Sequence, residues 1–302
     1  LIVPGKYGMN KDKLFWNNKK VLITGHTGFK GSWLSLLLSE FGANLYGYSL
    51  KPEKNFLYDK AKLNKIFKKS IYGDILNFKK LDKFIKNIKP EVIFHLAAEP
   101  LVFESYKNPK KTFNVNLIGT LNLLESIRKN HKYVKSVIIV TTDKVYKTLN
   151  NNPFYNEGHS LGASDPYGTS KVCVELLSET YFKSFFQNLN IGIFTVRAGN
   201  VIGGGDFSKN RIVPDYLKSR NQNKVLTIRN PNHIRPWQHV LDVCYAYLLI
   251  PMFHYKNKKR YSGPFNVGPS QKKLVNVLSL TKKFISIIGA NFKISFKKKK
   301  NL

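Results

Sequence analysis

The chain of 302 residues predicts an α/β fold, a doubly wound parallel sheet with a smaller, interleaved C-terminal domain. Three observations predict it. Short apolar runs alternate with longer amphipathic stretches through the first two-thirds of the sequence, the pattern of βαβ units. A glycine-rich turn, Thr24-Gly25-His26-Thr27-Gly28-Phe29-Lys30-Gly31, follows the first of those runs, Val21-Leu22-Ile23. Beyond residue 200 the alternation gives way to scattered glycines, prolines and arginines.

Taken in order, residues 21–24 read as the first strand. Residues 30–41 read as a helix with an apolar face of Trp33, Leu34, Leu37 and Leu38. Residues 45–49 form a second strand, and a weak third lies around 70–72. A fourth, 91–98, follows Pro90, a strongly apolar fifth covers 135–142, and a sixth covers 191–196. Between the last two, Asp165 suits an N-cap and Pro166 the first helical position, and residues 167–186 carry the periodic apolar face. Thr142 and Asp143 then fall at the carboxyl end of the fifth strand, the edge where open α/β sheets bind ligands. The expected domains are 9–200 with about 236–268, and about 201–235 with 269–302.

Composition narrows the class. No apolar run approaches the ~18 residues of a membrane span. The first eight residues lack the order of a secretory signal, and Met9 is the expected natural start. With only Cys173 and Cys244, a disulfide framework is not expected and a reducing cytoplasm is. The net charge is +32, from 50 basic and 18 acidic side chains. It fits nucleic-acid or anionic-surface binding. The favoured reading is a composition rich in lysine, asparagine, isoleucine and phenylalanine, because the lysines are scattered and only Lys297 to Lys300 form a block. Either way, a basic surface favours anionic ligands such as nucleotide diphosphates.

The spacing Gly25-x-x-Gly28-x-x-Gly31 points to a dinucleotide. Glycines allow the tight turn, the approach of backbone to pyrophosphate and close helix–strand contact, and the following helix offers free N–H groups to the anion. An acidic residue about 20 positions on is absent, since Tyr48-Ser49-Leu50 stands there. Asp74, after Gly73, is the alternative for the adenosine end. Tyr167 and Lys171 are about one helical turn apart and share a face. A tyrosine acting as base near neutrality needs its pKa lowered by roughly three units, or ~4 kcal/mol, which a neighbouring ammonium and a cationic nicotinamide can supply. Thr142 can bond the same substrate oxygen. The plain alternative is a surface tyrosine and a solvated lysine.

The glycine turn, His95-Leu96-Ala97-Ala98, Asn116-Leu117-Ile118-Gly119-Thr120 and Tyr167-Gly168-Thr169-Ser170-Lys171 resemble the extended short-chain dehydrogenase/reductase family, with its Rossmann domain. Three longer stretches resemble its nucleotide-sugar 4,6-dehydratase branch, the CDP-glucose enzymes most closely. These are the glycine turn continued through Ser32-Trp33-Leu34, then Arg197-Ala198-Gly199-Asn200-Val201-Ile202-Gly203-Gly204-Gly205-Asp206, and Ile228-Arg229-Asn230-Pro231 with Ile234-Arg235-Pro236-Trp237-Gln238-His239-Val240.

The resemblance implies NAD held by Gly25, Thr27, Gly28, Phe29, Gly31, Asp74, Ile75, Leu96, Ala97, Ala98, Asn116, Tyr167 and Lys171. It implies a catalytic set of Thr142, Asp143, Lys144, Tyr167 and Lys171, and no metal. Hydride would leave C4 of the sugar for NAD⁺ as Tyr167 takes the hydroxyl proton. Water would leave across C5 and C6 with Asp143 as acid, and hydride would return to C6. Asp143-Lys144 is the dipeptide of the CDP-glucose enzymes; dTDP-glucose enzymes place a carboxylate at the second position. Lys144 reads equally as a neutral, desolvated base or a solvated lysine. Asn200, Arg211, Arg235 and His239 would surround the nucleotide diphosphate of CDP-glucose, where arginine forks suit phosphate.

A homodimer in the cytoplasm, with no membrane or nucleic-acid partner, is implied too. Two departures bear on affinity: Glu99 and Phe103 stand where relatives carry Gln and Arg. Relatives also continue past the end of this chain, from which reduced stability is expected. Other readings are a 4-epimerase or another nucleotide's dehydratase on the same fold, and a basic nucleic-acid-binding protein that kept the fold.

Overall fold

A computed structural model describes residues 6–148, 154–222, 224–256, 262–269, 275–288 and 293–296, with side chains from residue 11. The Lys297–Lys300 block lies outside the described residues.

The central sheet has seven strands, all parallel. They are β1 (Lys20–Thr24), β2 (Asn44–Ser49), β3 (Phe67–Tyr72), β4 (Val92–His95), β5 (Ser136–Val140), β6 (Gly192–Ala198) and an edge strand, Gly263–Val267. From that edge strand the order runs β6, β5, β4, β1, β2, β3. The direction of winding reverses between β1 and β4, where Val21 pairs with Val92 and Thr24 with His95. Every residue of β5 and β6 is buried, as expected of parallel strands covered on both faces. That is why these runs read as apolar rather than alternating.

Six predicted strands and the doubly wound order are present, with altered bounds. The fourth strand ends at His95 and the fifth at Val140, so Leu96–Ala98 and Thr141–Thr142 leave the ladder as loops at the carboxyl edge. The third strand begins earlier, at Phe67. The edge strand Gly263–Val267, with its glycine and proline, was not anticipated.

The helix after the glycine turn spans Phe29–Glu40 and buries Gly31, Ser32, Leu34, Ser35 and Leu38. Trp33 and Leu37 are only half-buried, so the inward stripe is smaller than the apolar pattern suggested. Small residues let this helix lie close to the sheet. The helix after Asp165 runs as α-helix over Pro166–Tyr181 and then as π-helix over Phe182–Phe186, where one continuous helix was expected.

On one face, Leu81, Phe84, Ile85 and Ile88 of helix Phe78–Ile88 join Leu123, Leu124 and Ile127 of helix Gly119–Lys129 against Leu22, Ile93 and Val137 of the sheet. Helix Val240–Lys256 packs against Phe29–Glu40 and strands β5 and β6, burying Val243, Cys244, Tyr247 and Leu248.

The chain divides into two compact units, Leu1–Ala198 with Val240–Val267, and Gly199–His239 with Gly268–Leu302. The second has its own small core of Tyr216, Leu226 and Ile228, with Leu278, Phe284 and Ile285 packed on it.

Candidate active site

The carboxyl ends of β1 and β4 meet at the reversal of strand order, the place where doubly wound sheets bind ligands. Gly25 has φ +74°, and a Cβ there would lie 2.6 Å from the Ala97 nitrogen and 2.8 Å from the Leu96 carbonyl carbon. A Cβ on Gly31 would lie 2.2 Å from the Gly25 oxygen. Both positions therefore admit only glycine. Gly28 is the N-cap of helix Phe29–Glu40 and provides no side-chain cap, so the helix start presents bare backbone. Thr27 donates to the Leu50 carbonyl (3.2 Å) and accepts from Ser49 Oγ (2.8 Å), tying the turn to the end of β2. The cradle fits a dinucleotide pyrophosphate: close-approaching glycine backbone at a helix N-terminus.

A buried hydrogen-bonded chain supports this edge. Thr120 Oγ1 donates to the Asn116 carbonyl (2.6 Å), so it accepts from His95 Nε2 (3.0 Å). His95 Nδ1 then accepts from Thr24 Oγ1 (2.7 Å), which itself receives the Ala97 N–H (3.3 Å). Burial holds the imidazole neutral, pushing its pKa down to about 3. Asn116, in the π-helical turn Asn114–Ile118, accepts from the Glu99 N–H (2.8 Å) and donates to Ser170 Oγ (2.8 Å). It thereby links the loop after β4 to the helix carrying Tyr167. The motif residues were visible in the sequence; their linkage across the sheet was not.

Asp74 is exposed, and its carboxylate accepts from the Leu76 N–H at 2.9 Å. Its carbonyl accepts from the Tyr48 hydroxyl (2.8 Å), and Ile75 is buried against Gly119.

At the end of β5, Thr142 Oγ1 donates to Asp143 Oδ1 (3.1 Å) and receives the Lys144 N–H (3.4 Å). Asp143 is half-buried and Lys144 exposed. Asp165 Oδ1 accepts from the Gly168 N–H at 2.9 Å, as the cap expected from sequence. A Cβ on Gly168 would lie 2.6 Å from Ala163 Cβ and 3.1 Å from the Lys144 carbonyl oxygen. This close approach seats the start of the helix, and half-buried Tyr167 with it, beside the Asp143–Lys144 turn.

Lys171 is 5% exposed, and its Nζ donates to the Val140 carbonyl at 2.9 Å. Burial, helped by the charge of Lys30 and opposed by Glu175, brings its pKa down to about 7. One turn further, Glu175 accepts from Thr141, Thr195 and both arms of Arg197. Arg197 also donates to Tyr146 Oη (2.9 Å), which donates to Asn266 Oδ1 (2.6 Å). Sequence reasoning missed this network. Its only sequence signal was a pair of ionisable residues inside apolar runs.

The four expected substrate residues all lie in the second unit. The Asn200 carbonyl accepts from the Gln238 N–H (3.0 Å), and Arg211 stands 3.5 Å from the Asp206 carboxylate. Arg235 contacts His233 Nδ1 at 3.1 Å, and exposed His239 ends a strand paired with Val201–Ile202. Both departures are met locally. Glu99 pairs with Lys111 at 2.8 Å, and the Lys107 ammonium lies 4.8 Å from the Phe103 ring centre.

The strand order, the three-glycine turn at the reversal and the Tyr167–Lys171 helix define a short-chain dehydrogenase/reductase scaffold. A family model described as GDP-mannose 4,6 dehydratase matches residues 22–272, and the chain belongs to that family. It is 42% identical over 284 residues to the CDP-glucose 4,6-dehydratase of Salmonella typhimurium, covering 92% of this chain and 79% of that protein. Among solved structures it resembles Brucella ovis UDP-glucose 4-epimerase with NAD (TM-score 0.79, 21% identity, 93% of this chain and 86% of that one). It also resembles Bacillus anthracis dTDP-glucose 4,6-dehydratase with NAD (TM-score 0.76, 23% identity, 92% and 84%). Among the described residues no helix is long and apolar enough to cross a membrane.

Proposed function

We propose that the chain is an NAD-dependent lyase converting CDP-glucose to CDP-4-keto-6-deoxyglucose and water. The observation that carries the reading is the cluster at the carboxyl edge. Thr142 and Asp143 end β5, the start of the Tyr167 helix packs on the same turn, and Lys171 is bonded to the Val140 carbonyl. The 42% likeness to a CDP-glucose 4,6-dehydratase supports the nucleotide, and the Asp143-Lys144 dipeptide agrees with it.

Bound NAD would supply hydride acceptance at C4 of the sugar and return it at C6. The glycine turn and helix start would hold its pyrophosphate, and Leu96, Ala97, Ala98 and Asn116 its nicotinamide side. Tyr167 Oη takes the C4 hydroxyl proton, while the Lys171 ammonium favours the phenolate. The Thr142 hydroxyl bonds the same sugar oxygen and orients it. Asp143 protonates the hydroxyl leaving C6. Lys144 marks the CDP-glucose branch and is assigned no proton.

The second unit is the nucleotide-sugar domain in this reading, with Asn200, Arg211, Arg235 and His239 as its ligands. A homodimer is supported by exposed Phe103, Tyr106, Ile118, Leu176 and Phe185 on the helices of one face, apolar surface of the kind that pairs helices. A cytoplasmic place fits a substrate made from cytidine nucleotides.

Incubation with CDP-glucose, dTDP-glucose or GDP-mannose plus NAD⁺ tests the proposal. A keto-sugar chromophore under alkali with CDP-glucose is expected. Inversion at C4 without water loss would identify an epimerase instead.

A further inference from the structure

We infer that the buried Glu175–Arg197 pair is a positioning clamp for the turn that carries Thr142 and Asp143. Glu175 holds Thr141 at one end of that turn, and Arg197 holds Tyr146 at the other. The inference rests on the proposed reading of Thr142 and Asp143 as groups that meet the sugar.

Tyr167, Lys171 and Glu175 stand one turn apart on helix Pro166–Tyr181 and share a face. The last two take hold of the chain as it leaves β5. Lys171 Nζ donates to the Val140 carbonyl at 2.9 Å, and Glu175 Oε1 receives the Thr141 hydroxyl at 2.5 Å. Next comes a short 3₁₀ turn, Asp143–Val145, capped by Thr142. Its internal bonds are long: the Val145 N–H reaches the Thr142 carbonyl at 3.4 Å, and the Lys144 N–H reaches Thr142 Oγ1 at 3.4 Å. Bonds of that length hold a turn weakly, so its ends decide its place. At the far end the Val145 carbonyl accepts from the Gly162 N–H (2.8 Å), and Tyr146 Oη accepts from Arg197 Nη1 (2.9 Å).

Stability alone gives little reason for charges here, since a well-packed apolar pair often serves as well. What an apolar pair cannot do is direct hydroxyl groups. Glu175 Oε1 accepts from Thr141 and Arg197 Nε, and Oε2 accepts from Thr195 (2.5 Å) and Arg197 Nη2. Arg197 Nη1 is left for Tyr146 and for the Glu157 carbonyl at 3.2 Å. A planar fork bound at two oxygens has little freedom to rotate. The pair therefore sets the separation of Thr141 and Tyr146, the two residues that flank the turn. Thr195 supplies the contrast. Its hydroxyl meets the same carboxylate, but it lies within β6, where pairing with β5 already fixes the backbone.

Thr141→Val and Thr195→Val each delete one hydroxyl from the same carboxylate and keep the side-chain shape, so their urea midpoints should fall alike. Only Thr141→Val should impair the reaction. Its kcat for keto-sugar formation should fall about ten- to hundredfold with KM within about twofold, as displaced reacting groups require. Tyr146→Phe releases the other end and should act in the same direction. Thr141→Ser retains the hydroxyl and should keep the original kcat. Amide hydrogen exchange over residues 142–146 of the free protein should quicken about tenfold in Thr141→Val and in Tyr146→Phe, and stay unchanged in Thr195→Val. Equal losses of kcat in Thr141→Val and Thr195→Val would reduce the pair to structural support and overturn the inference. Unaltered exchange in both Thr141→Val and Tyr146→Phe would overturn it too. Should Thr141→Val not fold, Tyr146→Phe set against Thr195→Val decides by the same two measures. Exchange needs no sugar nucleotide, so absent turnover of CDP-glucose by the unaltered chain would defeat the proposed function and leave exchange to decide the clamp.

Discussion

Glu175 and Arg197 form a two-pronged ion pair in the interior: Arg197 Nε meets Oε1 and NH2 meets Oε2, each at 3.0 Å, with both side chains 4% exposed. The pair joins helix Pro166–Tyr181 to β6 one turn beyond Lys171. Thr141 and Thr195 fill the remaining acceptor sites of the carboxylate.

Removing one partner leaves the other charge buried and unpaired. Arg197→Met or Glu175→Gln should therefore cost about 3–5 kcal/mol in urea unfolding, while the double replacement should cost less than the sum. Additive losses would show that the two do not act as a pair.

The glycine cradle makes a steric prediction. Gly31→Ala puts a methyl 2.2 Å from the Gly25 oxygen, and backbone cannot yield as a flexible side chain does. A loss of about 1–3 kcal/mol is expected from overpacking, with NAD affinity, read by calorimetry, falling as the turn opens. Gly28→Ala meets only the Gly25 oxygen at 3.4 Å and should be the milder change.

Tyr167→Phe should abolish keto-sugar formation while circular dichroism and NAD binding persist. Asp143→Asn should slow water loss by about 10²–10⁴-fold, leaving oxidation at C4 detectable as NADH absorbance. Normal turnover in the Phe variant would remove Tyr167 as the base.

Stability should depend on pH through two buried groups. The unfolded Lys171 keeps its proton up to about pH 10.4, whereas the folded one releases it near 7. Between those values the unfolded chain binds more protons, so this group's contribution to stability rises with pH, and below 7 its full burial penalty is present. His95 acts over a lower window. Its folded pKa is about 3 against ~6.5 unfolded, so stability is lost as pH falls from about 6.5 toward 3. Urea midpoints across pH should show both slopes, the first absent in Lys171→Met and the second in His95→Gln. Unaltered slopes in those variants would refute the assignments.

Much of the fold was legible because its signals are local. The apolar runs of β1, β5 and β6, the cap at Asp165 and the glycine spacing each report on the few residues that make them. Strand ends were less legible, since Leu96–Ala98 and Thr141–Thr142 are apolar or β-branched yet leave the ladder to form the edge. The strand Gly263–Val267 lacked a periodic signal; it exists because β6 offers it a partner. Lys144 could not be placed either way, because exposure is a property of what surrounds a residue.

By itself, the sequence determined the first six strands of the sheet, a turn at Gly25–Gly31 built on glycine, and the shared face of Tyr167 and Lys171. These follow from backbone sterics and the helical repeat, which act over a few residues. Only the tertiary structure decided that Lys171 lies buried against Val140, that Arg197 meets Glu175, and that Lys30 finds Tyr247 across 217 positions of chain. Such pairings arise when the sheet order brings distant segments together and water is excluded, and no local pattern of residue types encodes that.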